Sequence, residues 1–173
     1  MPATAARLLA MLDNPEASVS QIEDIIKYDP GLTANLLKLT NSAYFGIPIK
    51  VSSVRQAITL LGWKRLLQLM MTLCMSPLMK KPVPGYDMPR GELWRHSIAV
   101  SIAAENIVKA LTISDADEIF TAALLHDVGK LVLGGFVNKD LEFIQDMVSK
   151  GFSFDVAEHI ILGTDHTKTV VVS

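Results

Sequence analysis

The sequence is poor in cysteine and in charged residues, and its charges nearly cancel. A single cysteine, Cys74, excludes an internal disulfide and suits a reducing cytoplasm. Sixteen Lys and Arg against eighteen Asp and Glu give a net charge of −2, so the concentrated basic face needed for direct nucleic-acid binding is not expected. Only 20% of residues are charged, below the usual quarter. That deficit indicates apolar surface reserved for a partner or for further chain.

The sequence also lacks a signal segment and a long uncharged run suited to a bilayer. Its amino terminus shows no basic-then-apolar signal segment. The longest stretch without charge, Leu66 to Met79, contains Gln68 and Pro77 and is too short and too polar to span a membrane. We therefore expect a cytoplasmic protein without a membrane partner, in which this stretch is a buried helix.

What is present is helical patterning punctuated by capping residues. Half of the 173 residues are hydrophobic, enough for the core of one domain. The pattern predicts a first helix over residues 3–12. Capping boxes at Ser20-x-x-Glu23 and Ser53-x-x-Gln56 predict two further helix starts, and Asp29 followed by Pro30 predicts another. No strand pattern or internal repeat is visible, so the predicted fold is all-α.

A turn-rich segment divides the helical pattern into two lobes. Residues 80–89 hold three prolines and a glycine, a composition typical of a linker. The predicted organisation is a single domain, 1–173, with an amino-terminal helical lobe at 1–79, a linker at 80–89 and a second lobe at 90–173.

Two histidines lie at helical spacing within apolar segments. His126 follows Ile119, Ala122 and Ala123 at i+7, i+4 and i+3, which predicts that its imidazole lies on a buried stripe. His96 shares the period of the residues Leu93, Val100, Ala103 and Ile107. Either histidine alone is commonly a hydrogen-bonded core residue. With Asp127 beside it, the pair also suits a divalent metal.

The residues after this pair suit a phosphate-handling site as well. Gly129 tolerates a tight backbone with positive φ, and Lys130 adds a cation where a phosphate would bind.

Cys74 lies among methionines and is predicted to be a packed thiol rather than a nucleophile.

Together these motifs resemble a known family. His96 followed by His126-Asp127-Val128-Gly129-Lys130 is similar to the H…HD signature of the HD metal-dependent phosphohydrolase superfamily. The segment from Asn41 to Gly46, NSAYFG, resembles HDOD domains, the HD-related output domains of bacterial signalling proteins, and so do DPGL at residues 29–32 and LGTDH at residues 162–166. The resemblance runs from about Leu8 to His166.

The resemblance implies a ligand set that this chain fills incompletely. His96, His126 and Asp127 would be ligands of Fe, Mn, Zn or Mg, with Lys130 on the phosphate. A late aspartate that completes such a site has no clear counterpart, and Asp165 and His166 are the nearest candidates. Asp165 also suits a helix cap, and both interpretations of His166 stay open. Relative to the HDOD pattern, we expect one or two terminal helices of the second, HD-like lobe to be missing.

Two functions follow from the resemblance. The first is a bacterial regulatory or signal-transduction output module with a degenerate HD-type site, acting through a signalling protein partner or a nucleotide. The alternative is a metal-dependent phosphohydrolase acting on a nucleotide or cyclic dinucleotide. Fold-level analogy does not establish chemistry, so the resemblance favours the non-catalytic module.

Overall fold

The described part of the chain is helical. In the computed structural model it comprises residues 7, 10, 11, 18–27, 29–43, 45–112 and 116–170. Within these ranges the only extended pairing is an isolated antiparallel bridge between Val83 and Met88, which confirms the all-α prediction. The first helix expected, at residues 3–12, lies largely outside the described residues. The chain divides into two compact units, 1–76 and 77–173, and the predicted linker at 80–89 stays a prediction.

The helices run in the following order: α1 Val19–Lys27, α2 Pro30–Thr40, α3 Val54–Leu61, α4 Trp63–Met79, α5 Glu92–Ala110, α6 Ala116–Leu125, α7 Gly129–Lys139, α8 Leu141–Ser149, α9 Phe154–Leu162, and a 3₁₀ turn at Lys168–Val170.

In the first unit, α1, α2 and α3 pack against one another. Arg55 on α3 makes a two-nitrogen contact with the Glu23 carboxylate on α1, at 2.8 and 3.0 Å. The loop after α2 is fixed by Asn41, whose amide donates to the carbonyl of Val51 and accepts from its N–H, both at 2.8 Å. These contacts give the asparagine of the NSAYFG segment a structural role.

The predicted helix starts are partly confirmed. Asp29 accepts from the N–H of Leu32 at 2.8 Å, and Ser53 accepts from the N–H of Gln56 at 3.1 Å. The capping box at Ser20 is wrong by two residues, because α1 already begins at Val19 and the N–H of Ser18 donates to the Gln21 side chain at 2.8 Å. Gln is as competent as Glu in the reciprocal position, so Gln21 forms one half of a box with Ser18, while the Ser18 hydroxyl contacts the Ser20 hydroxyl at 2.8 Å.

In the second unit, α5 packs against α6, and α7, α8 and α9 contact one another. The core of the latter group comprises Leu133, Val137, Ile144 and Ala157. The 3₁₀ turn contacts α7. This contact places the last described residues beside the turn that joins α6 to α7.

The segment 80–89 is held tightly against α7. The N–H of Val83 donates to the carbonyl of Met88 at 2.9 Å. A Cβ added to Gly85 would lie 2.7 Å from the backbone nitrogen of Asn138, and one added to Gly134 would lie 2.9 Å from the carbonyl oxygen of Pro84. Both positions therefore require glycine, because two backbones touch there.

The stretch from Ile119 to Lys139 has the length and hydropathy of a membrane span, but half of it is buried inside the protein. It is also divided into α6 and α7 by the turn at 126–128. A core segment of a globular protein has these same properties.

Candidate functional site

The structure places His96, His126 and Asp127 together. Neither histidine is buried: the side chains of His96, on α5, and of His126, in the turn after α6, are 45% and 37% exposed. The predicted stripes are wrong in register. The buried residues are Leu93, Ser97, Ser101, Glu105 and Val108 on α5, and Phe120, Thr121 and Leu124 on α6. Asp127 continues this buried side at 4% exposure. Because α6 is apolar on most sides, its sequence pattern could not fix which side faces inward.

The two imidazoles converge on one carboxylate oxygen. His96 Nε2 lies 3.6 Å and His126 Nε2 lies 3.4 Å from Asp127 Oδ2, and the three donor atoms all lie within 4.8 Å of one another. Two ligands each about 2.1 Å from a tetrahedral zinc ion are about 3.4 Å apart. The spacing therefore matches that of ligands sharing an ion, and the half-exposed rings are not core histidines.

The backbone fixes the tautomer of His126. Its Nδ1 lies 2.7 Å from the carbonyl oxygen of Ala123, which can only accept a hydrogen bond. Nδ1 therefore carries the hydrogen, and in the neutral ring the Nε2 lone pair faces Asp127. Orientation of this kind is what a metal-binding histidine requires.

A cation of the protein already contacts the same carboxylate oxygen. Lys130 Nζ lies 2.7 Å from Asp127 Oδ2, closer than either histidine, and both side chains are well shielded from solvent. Lys130 also lies 5.6 Å from the centroid of the Tyr86 ring. The lysine that was expected to bind a phosphate is therefore paired with Asp127 in this structure. Its contact with a phosphate stays a prediction.

His166 lies near the second carboxylate oxygen of Asp127, Oδ1. Its Nε2 lies 3.7 Å from Asp127 Oδ1, and its Nδ1 is hydrogen-bonded to Glu158 Oε2. Its backbone N–H donates to the same Glu158 oxygen at 3.2 Å. The ring is thus oriented by a carboxylate, as is common for histidines that bind metals. Its role as a ligand stays a prediction.

Glu158 is a functional candidate that the sequence did not indicate. It is fully buried on α9, and besides His166 it accepts a hydrogen bond from the hydroxyl of Tyr86. Burial, followed by the hydrogen bond to Glu158, raises the pKa of the Tyr86 phenol well above its usual range, so Tyr86 remains a donor. Three donated hydrogen bonds stabilise the buried carboxylate.

Asp165 has the contacts of a helix cap. Its Oδ1 accepts from the N–H groups of Thr167 at 3.1 Å and Lys168 at 3.0 Å, while Oδ2 lies 3.2 Å from Lys168 Nζ and 3.4 Å from His159 Nδ1. The hydrogen bond from the Thr167 hydroxyl and those from Lys168 hold the pKa of the Asp165 carboxyl well below its usual range. Ligation by Asp165 stays a prediction, and His159 is half-exposed at the surface.

Gly129 has a different role from the one predicted. It is absent from the positive-φ residues of the described chain. Instead, a Cβ at this position would overlap the carbonyl oxygen of His166 and the hydroxyl of Thr169. Glycine is needed because the chain around His166 passes directly over the start of α7.

Comparison with known proteins supports one family. The model of the HDOD domain matches residues 1–170. An HDOD domain protein of unknown function from Geobacter sulfurreducens has a solved structure that is 28% identical, with a TM-score of 0.76, over 96% of this chain and 55% of that one. A proposed signal transduction protein from Marinobacter aquaeolei VT8 is 25% identical, with a TM-score of 0.68, over 95% of this chain and 38% of that one.

A further relative comes from Treponema pallidum (strain Nichols). This uncharacterized protein is 26% identical over 136 residues, which are 76% of this chain and 25% of the relative. The chain thus spans a quarter of the curated relative and about half of the Geobacter protein.

Proposed function

The chain belongs to the HDOD domain family, and on that premise we propose that it is a cytoplasmic regulatory module of bacterial signalling that acts by binding rather than by hydrolysis. Its partner is a signalling protein, and its histidine–aspartate site is degenerate. The similarity to a proposed signal transduction protein supports this role. So do exposed apolar side chains on α7, where Val132 is 63% and Phe136 is 55% exposed, since exposed apolar surface often marks an interaction site.

The observation that carries the proposal is the ion pair between Lys130 and Asp127. The Oδ2 atom that faces both histidines has the lysine ammonium 2.7 Å away. A divalent ion bound there would be repelled by that ammonium, and displacing it would leave a shielded lysine without its partner. Among the described residues no second carboxylate joins the cluster of donors. Weak metal binding is the expected consequence.

The residues nevertheless fit a metal of low affinity. His96 and His126 would supply imidazole nitrogens and Asp127 a carboxylate oxygen, and a bound metal would supply an activated water molecule for hydrolysis. The carbonyl of Ala123 keeps His126 in the required tautomer. Glu158 keeps the ring of His166 directed at Asp127.

A metal-dependent phosphohydrolase is the second candidate. The 3.4 and 3.6 Å separations of the histidine nitrogens from Asp127 favour it, because they match those of ligands sharing one ion. In that case Lys130 would exchange Asp127 for a phosphate oxygen of the substrate, a nucleotide or a cyclic dinucleotide.

One experiment separates the two candidates. The purified protein is analysed for Fe, Mn, Zn and Mg, and hydrolysis of a generic phosphodiester and a cyclic dinucleotide is measured with each metal added. His126→Ala removes a candidate ligand, and His159→Ala is the matched control because His159 is an exposed histidine outside the cluster. The regulatory proposal expects equal, background rates for all three proteins. Stoichiometric metal with turnover that only His126→Ala abolishes would overturn it.

A further inference from the structure

A second concave site includes Tyr86 among its lining residues. A cavity of about 630 Å³ is bounded by the segment 82–89, by Asn138 at the end of α7, by Leu141 and Gln145 on α8, and by Phe154 at the start of α9. This volume is typical of small-molecule sites. The cavity shares Tyr86 with the site described above, but none of its lining residues is a histidine.

The walls of the cavity are fixed by backbone contacts. The bridge between Val83 and Met88 closes the segment on itself, and Gly85 contacts the backbone of α7 at Asn138. Tyr86 is held by its hydrogen bond to the buried Glu158. A ligand entering here would therefore meet a preformed surface, which reduces the entropic cost of binding.

The chemistry of the lining excludes an anion and favours a flat, neutral ring. Of the described residues that line the cavity, none is a lysine, arginine or histidine, and Asp87 contributes a carboxylate. A phosphate inside the cavity would therefore meet the Asp87 carboxylate and no cationic lining residue. Two aromatic rings, Tyr86 and Phe154, stand with centroids 5.5 Å apart and inclined by 41°, offering stacking surface to a ring.

Two side-chain amides supply polar recognition. Asn138 and Gln145 both line the cavity, both are exposed, and neither makes a side-chain hydrogen bond to another described residue. A side-chain amide presents a donor and an acceptor side by side, the pattern that pairs with the amino group and ring nitrogen of adenine. We propose that this cavity binds the adenine base of a nucleoside or nucleotide, with the ribose and any phosphate remaining outside.

The proposal is independent of catalysis or metal binding at the histidine cluster. It is tested by titrating the whole chain with adenosine, AMP, guanosine and inorganic phosphate, using calorimetry or NMR, up to about 1 mM ligand. Adenosine and AMP are expected to bind with affinities within about threefold of each other, because the phosphate contributes nothing inside the cavity. Guanosine is expected to bind more weakly, and inorganic phosphate alone is expected not to bind.

Variants assign the binding to this cavity. Gln145→Ala and Asn138→Ala each remove one amide and are expected to weaken adenosine binding about tenfold, as for loss of one hydrogen-bonded pair. Glu142→Ala is the matched control, since Glu142 is exposed on α8 and does not line the cavity.

The outcomes that overturn the proposal are distinct. They are the absence of adenosine binding by the unaltered chain, unchanged adenosine binding by both amide variants, and binding of inorganic phosphate alone that the amide variants weaken. Loss of adenosine binding in His126→Ala with no change in Gln145→Ala would place the ligand at the histidine cluster instead.

Discussion

Replacing Gly129 by alanine tests how closely the chain around His166 passes over α7. The added methyl group would overlap the carbonyl oxygen of His166 and the hydroxyl of Thr169. The threonine side chain can rotate, but the carbonyl belongs to the backbone and must move with its neighbours. Gly135→Ala is a matched control on the same helix, because a Cβ there meets nothing within 4 Å.

The magnitude follows from the difference between these two variants. Alanine in place of glycine stabilises a helix by roughly 0.5–1 kcal/mol, and we expect Gly135→Ala to show this gain. Gly129 is the first residue of α7, so its gain is smaller than at an interior position, and it is opposed by an overpacking cost of about 1–3 kcal/mol. Gly129→Ala should therefore be less stable than Gly135→Ala by about 1–3 kcal/mol.

Urea unfolding followed by far-UV circular dichroism measures this difference. About 1 kcal/mol moves the midpoint by roughly 0.5 M, well within measurement. The NMR signals of the His166 ring should also shift in Gly129→Ala and stay unchanged in Gly135→Ala, because only the first variant displaces the segment hydrogen-bonded to Glu158. Equal midpoints and unchanged His166 signals in both variants would refute the close approach.

Three further predictions concern single ionisable groups. Burial raises the pKa of the Cys74 thiol to about 11, so a thiol reagent at pH 8 should react at least about tenfold more slowly with the folded than with the urea-unfolded protein. The low pKa of Asp165 contributes stability that is present above the unfolded value, near 3.9, and is lost as the pH falls towards the folded value. Asp165→Asn should therefore lose less of its urea midpoint between about pH 5 and pH 3 than the unaltered chain. Lys130→Met should bind Zn²⁺ about tenfold more tightly by competition with a chelating dye, because it frees Asp127 Oδ2.

Each of these has a clear contrary result. Equal thiol reactivity in the folded and unfolded states would mean that Cys74 is not shielded. Parallel pH profiles for the unaltered chain and Asp165→Asn would show that the Asp165 cap does not contribute to the loss of stability in acid. Weaker zinc binding in Lys130→Met would show that the ammonium supports the site rather than competing with the metal, which would favour the phosphohydrolase.

The sequence predicted the fold class and the convergence of His96, His126 and Asp127, but not which side of each helix is buried. Capping residues such as Asp29 act through bonds to their own neighbours, so they are visible in a linear sequence. The inward side of an almost wholly apolar helix is decided by packing, and periodicity alone cannot choose it. For that reason the prediction placed His126 on the buried side, where the structure has Asp127 instead.

Glu158 and Tyr86 were missed because they are 72 positions apart and meet only in the folded chain. One local signal was present for Glu158. It lies four residues after Phe154 and three before Ile161, on the apolar stripe of α9. A carboxylate at such a position requires donors, so a charged residue on a core stripe is the sign that could have led to it.

Gly85 packs against the backbone of α7, and Gly134 on α7 packs against the backbone at Pro84. These contacts change how residues 80–89 should be treated in protein engineering. Three prolines make this stretch look like a natural place to cut the chain, insert a tag or exchange one half for that of a relative. Because the backbone of this segment packs directly on α7, joining two sequences here would remove part of the chain that covers α7 in the second unit. A junction upstream of residue 80 would keep the segment together with α7, which it covers.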